Sequence, residues 1–276
     1  MDITNPVSQF WFRAPSIRAA MARVSARPIA GRYSGRPVVD PSLGAVTAAA
    51  VTALWSTVPG TGPASTPGER EKLVVDRDTF AASPVVTGYE TRAWADLVLR
   101  AFARETNLLL PGTRFLLLGT GPVADALAGA LTRIGGRLEI AGRNSIELVD
   151  LARRHGVPVR PLGEPQSIPV GIDVVVVTGS DHPPFDPGAA VAAQRPLIVV
   201  DAARPEHSGV VLPAERGATV RDLTELAGPR ACFVVQAPTP DALDTATAEL
   251  RALYTVLLAT VGYVRAEAEL AEVLTT

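Results

Sequence analysis

The chain has 276 residues, 47% hydrophobic and 20% charged, with a formal charge of −2. That supplies a sizeable core for one large domain or two small ones, and it excludes nucleic acid as the main partner, because phosphate backbones need a basic face. One cysteine and three histidines exclude an intrachain disulfide and make no Cys/His metal cluster. No apolar run reaches the roughly 18 residues of a membrane span.

The start, MDITNPVSQFWFRAPSIRAAMARVSAR, lacks a signal-peptide apolar core, so a soluble cytoplasmic protein is expected, with no membrane partner. Up to about Tyr89 the pattern reads as irregular. One helix is expected near Leu43–Thr57, where Ala and Val are frequent. The following segment VPGTGPASTPGER is a loop by its Pro, Gly and Ser content. KLVVD then reads as a short strand. From Glu90 to Glu105 the period becomes helical, with Trp94, Leu97, Val98 and Ala101 toward one face and Arg92, Asp96, Arg100 and Arg104 largely off it.

Strand and helix then alternate. Strands are predicted at Phe115–Leu118, Leu138–Ala141, Pro158–Pro161, Asp173–Thr178, Leu197–Asp201 and Phe233–Gln236, and helices at Pro122–Ile134 and Ser145–His155. Continuous apolar strands such as FLLL, DVVVV and LIVV suit a parallel sheet covered on both faces. The alternation implies right-handed crossovers and an α/β doubly wound (Rossmann) sheet. One long helix is expected over Pro240–Leu274, started by Thr239 as N-cap and Pro240 at the first position. Leu243, Leu250, Leu257 and Val264 recur along it every seven residues, with Ala246 and Leu253 between. That stripe either packs back on the first region or pairs with a second copy in a homodimer. The expected domains are 1–106, 107–238 and 239–276.

The central motif is FLLLGTGPVADALAGAL. Gly119, Gly121 and Ala124 stand at G-x-G-x-x-A spacing between a strand and a helix. Gly119 permits the tight turn, Gly121 lets backbone approach a diphosphate, and Ala124 allows close helix–strand packing. The helix N-terminus then offers N–H groups and the positive end of a dipole. Gly119, Thr120, Gly121, Pro122 and Val123 are therefore the expected diphosphate cradle of a dinucleotide. A strand–turn–helix context is what gives this short motif its weight; a glycine turn that binds nothing is the alternative.

The tip of the second strand selects the cofactor. NAD sites place Asp or Glu there for the ribose 2′-OH. Here the tip reads Gly142-Arg143-Asn144-Ser145, and Glu139 comes too early. Arg143 is suited to a 2′-phosphate, with Asn144 and Ser145 adding hydrogen bonds. NADP is the expected cofactor and NAD the alternative. Ser145 as a helix cap and Arg143 as a solvated surface residue are the competing readings. Loops after the fourth and fifth strands should approach the nicotinamide end, with Thr178, Gly179 and Ser180 against its ribose and Asp201 and Ala202 nearby.

Acid–base candidates are few. His182, beside Asp181, is placed to relay a proton near a nicotinamide or is an ordinary loop histidine; His207 beside Glu206 has the same two readings. His155 closes a helix and reads as structural. Lys72 is a substrate-side amine or a solvated lysine. Asp96 and Glu90 belong to the connecting helix, Tyr89 and Trp94 are best read as core, and Cys232 as an inert core thiol.

Two stretches between Lys72 and Pro205, under half the chain, carry a family resemblance. TGYETRAWADLVLRAFARETNLLLPGTRFLLLGTG resembles the entry into the NAD domain of S-adenosylhomocysteine hydrolases. IAGRNS, VVVVTGSDHP and RPLIVVDAARPE resemble the NADP domain of glutamyl-tRNA reductases and shikimate dehydrogenases. The specific catalytic marks are missing. DRDTFAASPVVTGYE has no Lys where the hydrolases carry one, the Val-Thr-x-Pro-x-Lys pattern of shikimate dehydrogenases is absent, and Cys232 lies after the cofactor domain. What remains is an expected NADP-dependent oxidoreductase acting on a small-molecule carbonyl or imine. The alternatives are a hydrolase-like enzyme with tightly held NAD and a non-catalytic dinucleotide-binding protein.

Overall fold

The computed structural model describes residues 6–26, 33, 36–59, 72–106, 108, 110–163, 168–179, 182–187, 197–207, 209–211, 216–220, 223–226 and 232–275, with backbone alone for 6–15, 216–220 and 223–226. Along the chain run α1 (Pro6–Ser25), β1 (Val38–Val39), a short 3-10 turn, α2 (Ala45–Ser56), β2 (Val74–Val75), α3 (Arg77–Ala81) and α4 (Pro84–Thr106). Then come β3 (Arg114–Leu118), α5 (Gly121–Arg133), β4 (Arg137–Gly142), α6 (Ser145–His155), β5 (Val159–Pro161), β6 (Val174–Val177) and β7 (Leu197–Asp201). The chain continues through β8 (Arg216–Val220), β9 (Leu223–Leu226), β10 (Cys232–Val235), α7 (Pro240–Val261) and α8 (Tyr263–Thr275). They form two units, one of Met1–Ala93 with Pro240–Thr276, the other of Trp94–Thr239.

The helical unit differs from the sequence reading in three ways. Its first stretch is not irregular, since α1 and α3 accompany the expected α2. The connecting helix starts at Pro84, ahead of Glu90, because Ser83 Oγ accepts the Val86 N–H at 3.0 Å and Pro84 suits a first helical position. The C-terminal segment is helical but broken, with Gly262 at φ +78° between α7 and α8, a conformation that glycine adopts without penalty. The break takes Val264 out of the seven-residue stripe. Val264 is exposed, and α8 instead buries Ala266, Leu270 and Val273. Leu250, Leu253 and Leu257 are buried in one core with Ile17, Ala20 and Val24 of α1 and Val51, Leu54 and Trp55 of α2.

In the other unit the apolar runs become one eight-stranded sheet, ordered β5-β4-β3-β6-β7-β10-β9-β8. The first six are parallel. β9 and β8 extend the sheet as an antiparallel hairpin, an element the sequence reading missed. All six expected strands are present, shifted by a residue or so at their ends. Leu116, Leu118, Ala141, Val175, Val177, Val199 and Val234 form one core with Ile168 and Phe185 from the loops. α5 and α6 pack side by side along β3, β4 and β5. His155 Nε2 meets Asp125 Oδ1 at 2.7 Å, and Arg154 Nη1 meets Asp125 Oδ2 at 2.7 Å, joining the two helices. On α4 the fully buried face is Trp94, Val98 and Phe102, an i, i+4, i+8 row; Leu97 and Ala101 are half-buried. Trp94 Nε1 donates to Ala202 O at 2.8 Å, so its indole is a core anchor with its N–H satisfied.

Candidate functional site

The strand order decides where a ligand belongs. From β3 the chain winds outward through β4 to β5, then returns to the other side of β3 at β6 and continues to β7. The crevice at the carboxyl ends of β3 and β6 is therefore the switch point, where doubly wound sheets bind ligands.

The Gly119–Val123 turn sits there. Gly119 has φ +104° and Gly121 φ +88°, both in the region that favours glycine. The Gly119 N–H donates to Ala141 O at 2.8 Å, which seats the turn against β4. Thr120, fully buried, is the N-cap residue of α5 and its side chain does not cap the helix. The N–H groups of a first helical turn have no partner inside the helix. Those of Gly121 and Val123 belong to that first turn, and Pro122 contributes no N–H. Val123 and Ala124 are buried, in keeping with close packing behind the turn. The fold and the glycine turn fit a bound dinucleotide diphosphate.

At the tip of β4, Gly142 is buried and Arg143 exposed. The helix cap is Asn144, not Ser145: Asn144 Oδ1 accepts from Ile146 N at 3.1 Å and Glu147 N at 3.3 Å. Its oxygen is thus spent on α6. Ser145 is exposed at the first helical position. The signal was present in the sequence, since Asn144 followed three residues later by Glu147 is a capping pattern. Glu139 pairs with Arg160 at 2.9 Å.

Past β6, Thr178 is fully buried, and its hydroxyl donates to Leu118 O at 2.9 Å while its N–H reaches the same oxygen at 3.1 Å. It ties the end of β6 to the residue before Gly119. Gly179 has φ +76°. Its N–H donates to His182 Nε2 at 2.9 Å, and His182 Nδ1 lies 2.6 Å from Pro183 O. Both ring nitrogens of His182 are engaged within this loop. Ser180 and Asp181 lie outside the described residues.

Past β7, Asp201 accepts from Ala203 N at 3.0 Å and from Val210 N at 3.5 Å. Burial raises its carboxyl above the ordinary range, opposed by those two backbone bonds. A side chain at Gly209 would collide with this carboxylate. Phe185 N–H donates to Gly209 O and Val211 N–H to Phe185 O, at 2.9 and 2.8 Å, so the loops after β6 and β7 are stitched together.

His207 and Glu206 are exposed. Asp96 pairs with Arg100 at 2.5 Å, while burial holds its carboxyl above the ordinary range. Glu90 pairs with Arg251 at 2.7 Å. Lys72 is exposed ahead of β2 in the helical unit. The Cys232 thiol is pushed up to about 11 by burial. Among the described residues no group of three His, Cys, Asp or Glu is placed to hold a metal, and no helix is long and apolar enough to cross a membrane.

No family model matches the chain. No curated protein matches it by sequence. Solved structures do match in outline. A dipicolinate synthase chain from Bacillus halodurans is 12% identical over 74% of this chain and 69% of its own, with a TM-score of 0.38. An L-alanine dehydrogenase is 17% identical over 70% and 59%, TM-score 0.43. The transhydrogenase from Sinorhizobium meliloti is 15% identical over 66% and 57%, TM-score 0.43. The chain therefore spans less than two thirds of the latter two. Its sheet is of the Rossmann type. That rests on the strand order itself, since likenesses this faint say nothing of cofactor or substrate.

Proposed function

We propose that this chain binds a nicotinamide dinucleotide at the switch point between β3 and β6, and that it is an oxidoreductase preferring NADP and acting on a small-molecule carbonyl or imine. The observation that carries the reading is the pair of positive-φ glycines, Gly119 and Gly121, at the start of α5. Backbone amides there grip the diphosphate, and Arg143 at the β4 tip takes the 2′-phosphate. When bound, the cofactor supplies or accepts the hydride; the chain contributes orientation, with Thr178 and Asp201 bonded to backbone at the ends of β6 and β7.

The test is fluorescence titration of the full chain with NADPH and NADH, repeated on Arg143→Ala. NADPH should bind at least tenfold tighter than NADH, and the variant should lose about tenfold for NADPH with little change for NADH, as for one charge-assisted contact of roughly 1.5 kcal/mol. Equal affinities in the native chain refute the NADP preference, and no binding refutes the site.

A second reading is a dinucleotide-binding protein without turnover. It is favoured by the state of the acid–base candidates near the site, since His182 has both nitrogens engaged and Asp201 accepts two backbone bonds. Binding without turnover across a broad carbonyl and imine screen selects it. Co-purification of NAD selects the hydrolase-like alternative.

A further inference from the structure

The hydrogen bonds around His182 fix its tautomer. A backbone N–H only donates, so Nε2, 2.9 Å from Gly179 N, carries a bare lone pair. A carbonyl only accepts, so Nδ1, 2.6 Å from Pro183 O, carries the proton. The ring is neutral and bridges two backbone groups. One of them is the positive-φ Gly179, which directly follows Thr178, and Thr178 is itself bonded twice to Leu118 O beside the glycine turn. A continuous run of bonds thus leads from the imidazole through the end of β6 to the diphosphate cradle.

We propose that His182 is a positioning residue, one that in its Nδ1–H form holds the Gly179 backbone at the end of β6 in the conformation that the nicotinamide half of the dinucleotide requires. This rests on the dinucleotide reading above. It assigns the ring a role other than proton relay, because serving as acid or base would break one of the two bonds that shape the loop.

The two bonds can be separated by substitution. His182→Gln offers an amide oxygen near the Nε2 position, His182→Asn an amide N–H near Nδ1, and His182→Phe the ring shape alone. Titrated with NADPH, the Gln variant should stay within about threefold of native and the Phe variant should weaken about tenfold, the scale of one lost hydrogen bond; Asn should fall between. Native-like binding by Phe, or a Gln variant no better than Phe, overturns the proposal. Nitrogen-15 NMR of the native chain, which has three histidines, gives a readout apart from binding. His182 should show a protonated Nδ1 and a bare Nε2 at neutral pH, with a Gly179 amide that exchanges slowly in the native chain and rapidly in the Phe variant. A protonated Nε2 overturns the proposal while leaving the dinucleotide site standing. A native chain that binds neither NADPH nor NADH overturns the functional reading and the positioning role together.

Discussion

The N-terminus of α2 has no cap of its own. Its N-cap residue is Gly44, which carries no side chain, and the missing acceptor comes from Asp244, far along the chain on α7. Asp244 Oδ2 accepts from Val46 N at 3.0 Å, and Oδ1 accepts from Thr47 N at 3.3 Å and Thr47 Oγ1 at 2.5 Å. A side chain at Gly44 would occupy the space of this carboxylate. Arg251 Nη1 stands 3.5 Å from Oδ1, its Nε pairs with Glu90 at 2.7 Å, and its guanidinium lies 5.5 Å from the Phe80 ring centre. Asp244→Ala removes a helix cap, about 1 kcal/mol, and takes one of two carboxylates from a partly buried arginine. Breaking a buried pair outright costs roughly 3–5 kcal/mol. Arg251 keeps Glu90 and the Phe80 face, so about 2 kcal/mol is the share expected here. The sum is about 3 kcal/mol, and at roughly 2–4 °C per kcal/mol it lowers the Tm by about 6–12 °C. Calorimetry and urea unfolding would measure it, and hydrogen exchange should show the first-turn amides of α2 opening first. In a double-mutant cycle with Arg251→Met the two losses should add to more than the pair loses together. A loss under about 1 kcal/mol for Asp244→Ala, or strict additivity in the cycle, refutes the trans-capping account.

Two further outcomes follow from the raised pKa values. Because the folded-state pKa of Asp201 is raised by burial, its ionisation is disfavoured in the folded chain. The stability it contributes is complete below the unfolded carboxylate value and is lost as pH rises through the raised one. Asp201→Asn should therefore gain on the native chain in Tm between acidic and neutral pH, and a Tm difference constant across that range refutes the assignment. Cys232, pushed from about 9 to about 11, should be alkylated by maleimide roughly 100-fold more slowly at pH 8 than an exposed thiol of ordinary pKa, in proportion to its thiolate; a rate near that of free cysteine refutes the half-buried placement.

Six parallel strands and the glycine turn after β3 are legible in the residues alone. Parallel strands covered on both faces must be apolar throughout, so FLLL, VVVV and LIVV declare themselves locally. A turn with two positive φ values needs glycine where Gly119 and Gly121 stand. Local chemistry also held two signals left unread, the Asn144 cap and the Ser83-Pro84 start of α4. Tertiary structure alone decided the rest. Thr178 and His182 turned out to bond the backbone, and Asp201 to hold a loop, because a side chain's partner is set by which atoms the fold brings within reach. Trp94 reaches Ala202, and Asp244 caps a helix whose first residues are nearly 200 positions away. Such bonds leave no periodicity to read. The seven-residue stripe promised one face through Val264, but one glycine at φ +78° turned α8 to bury Ala266, Leu270 and Val273 instead. Spacing fixes which residues share a face only while the helix is unbroken.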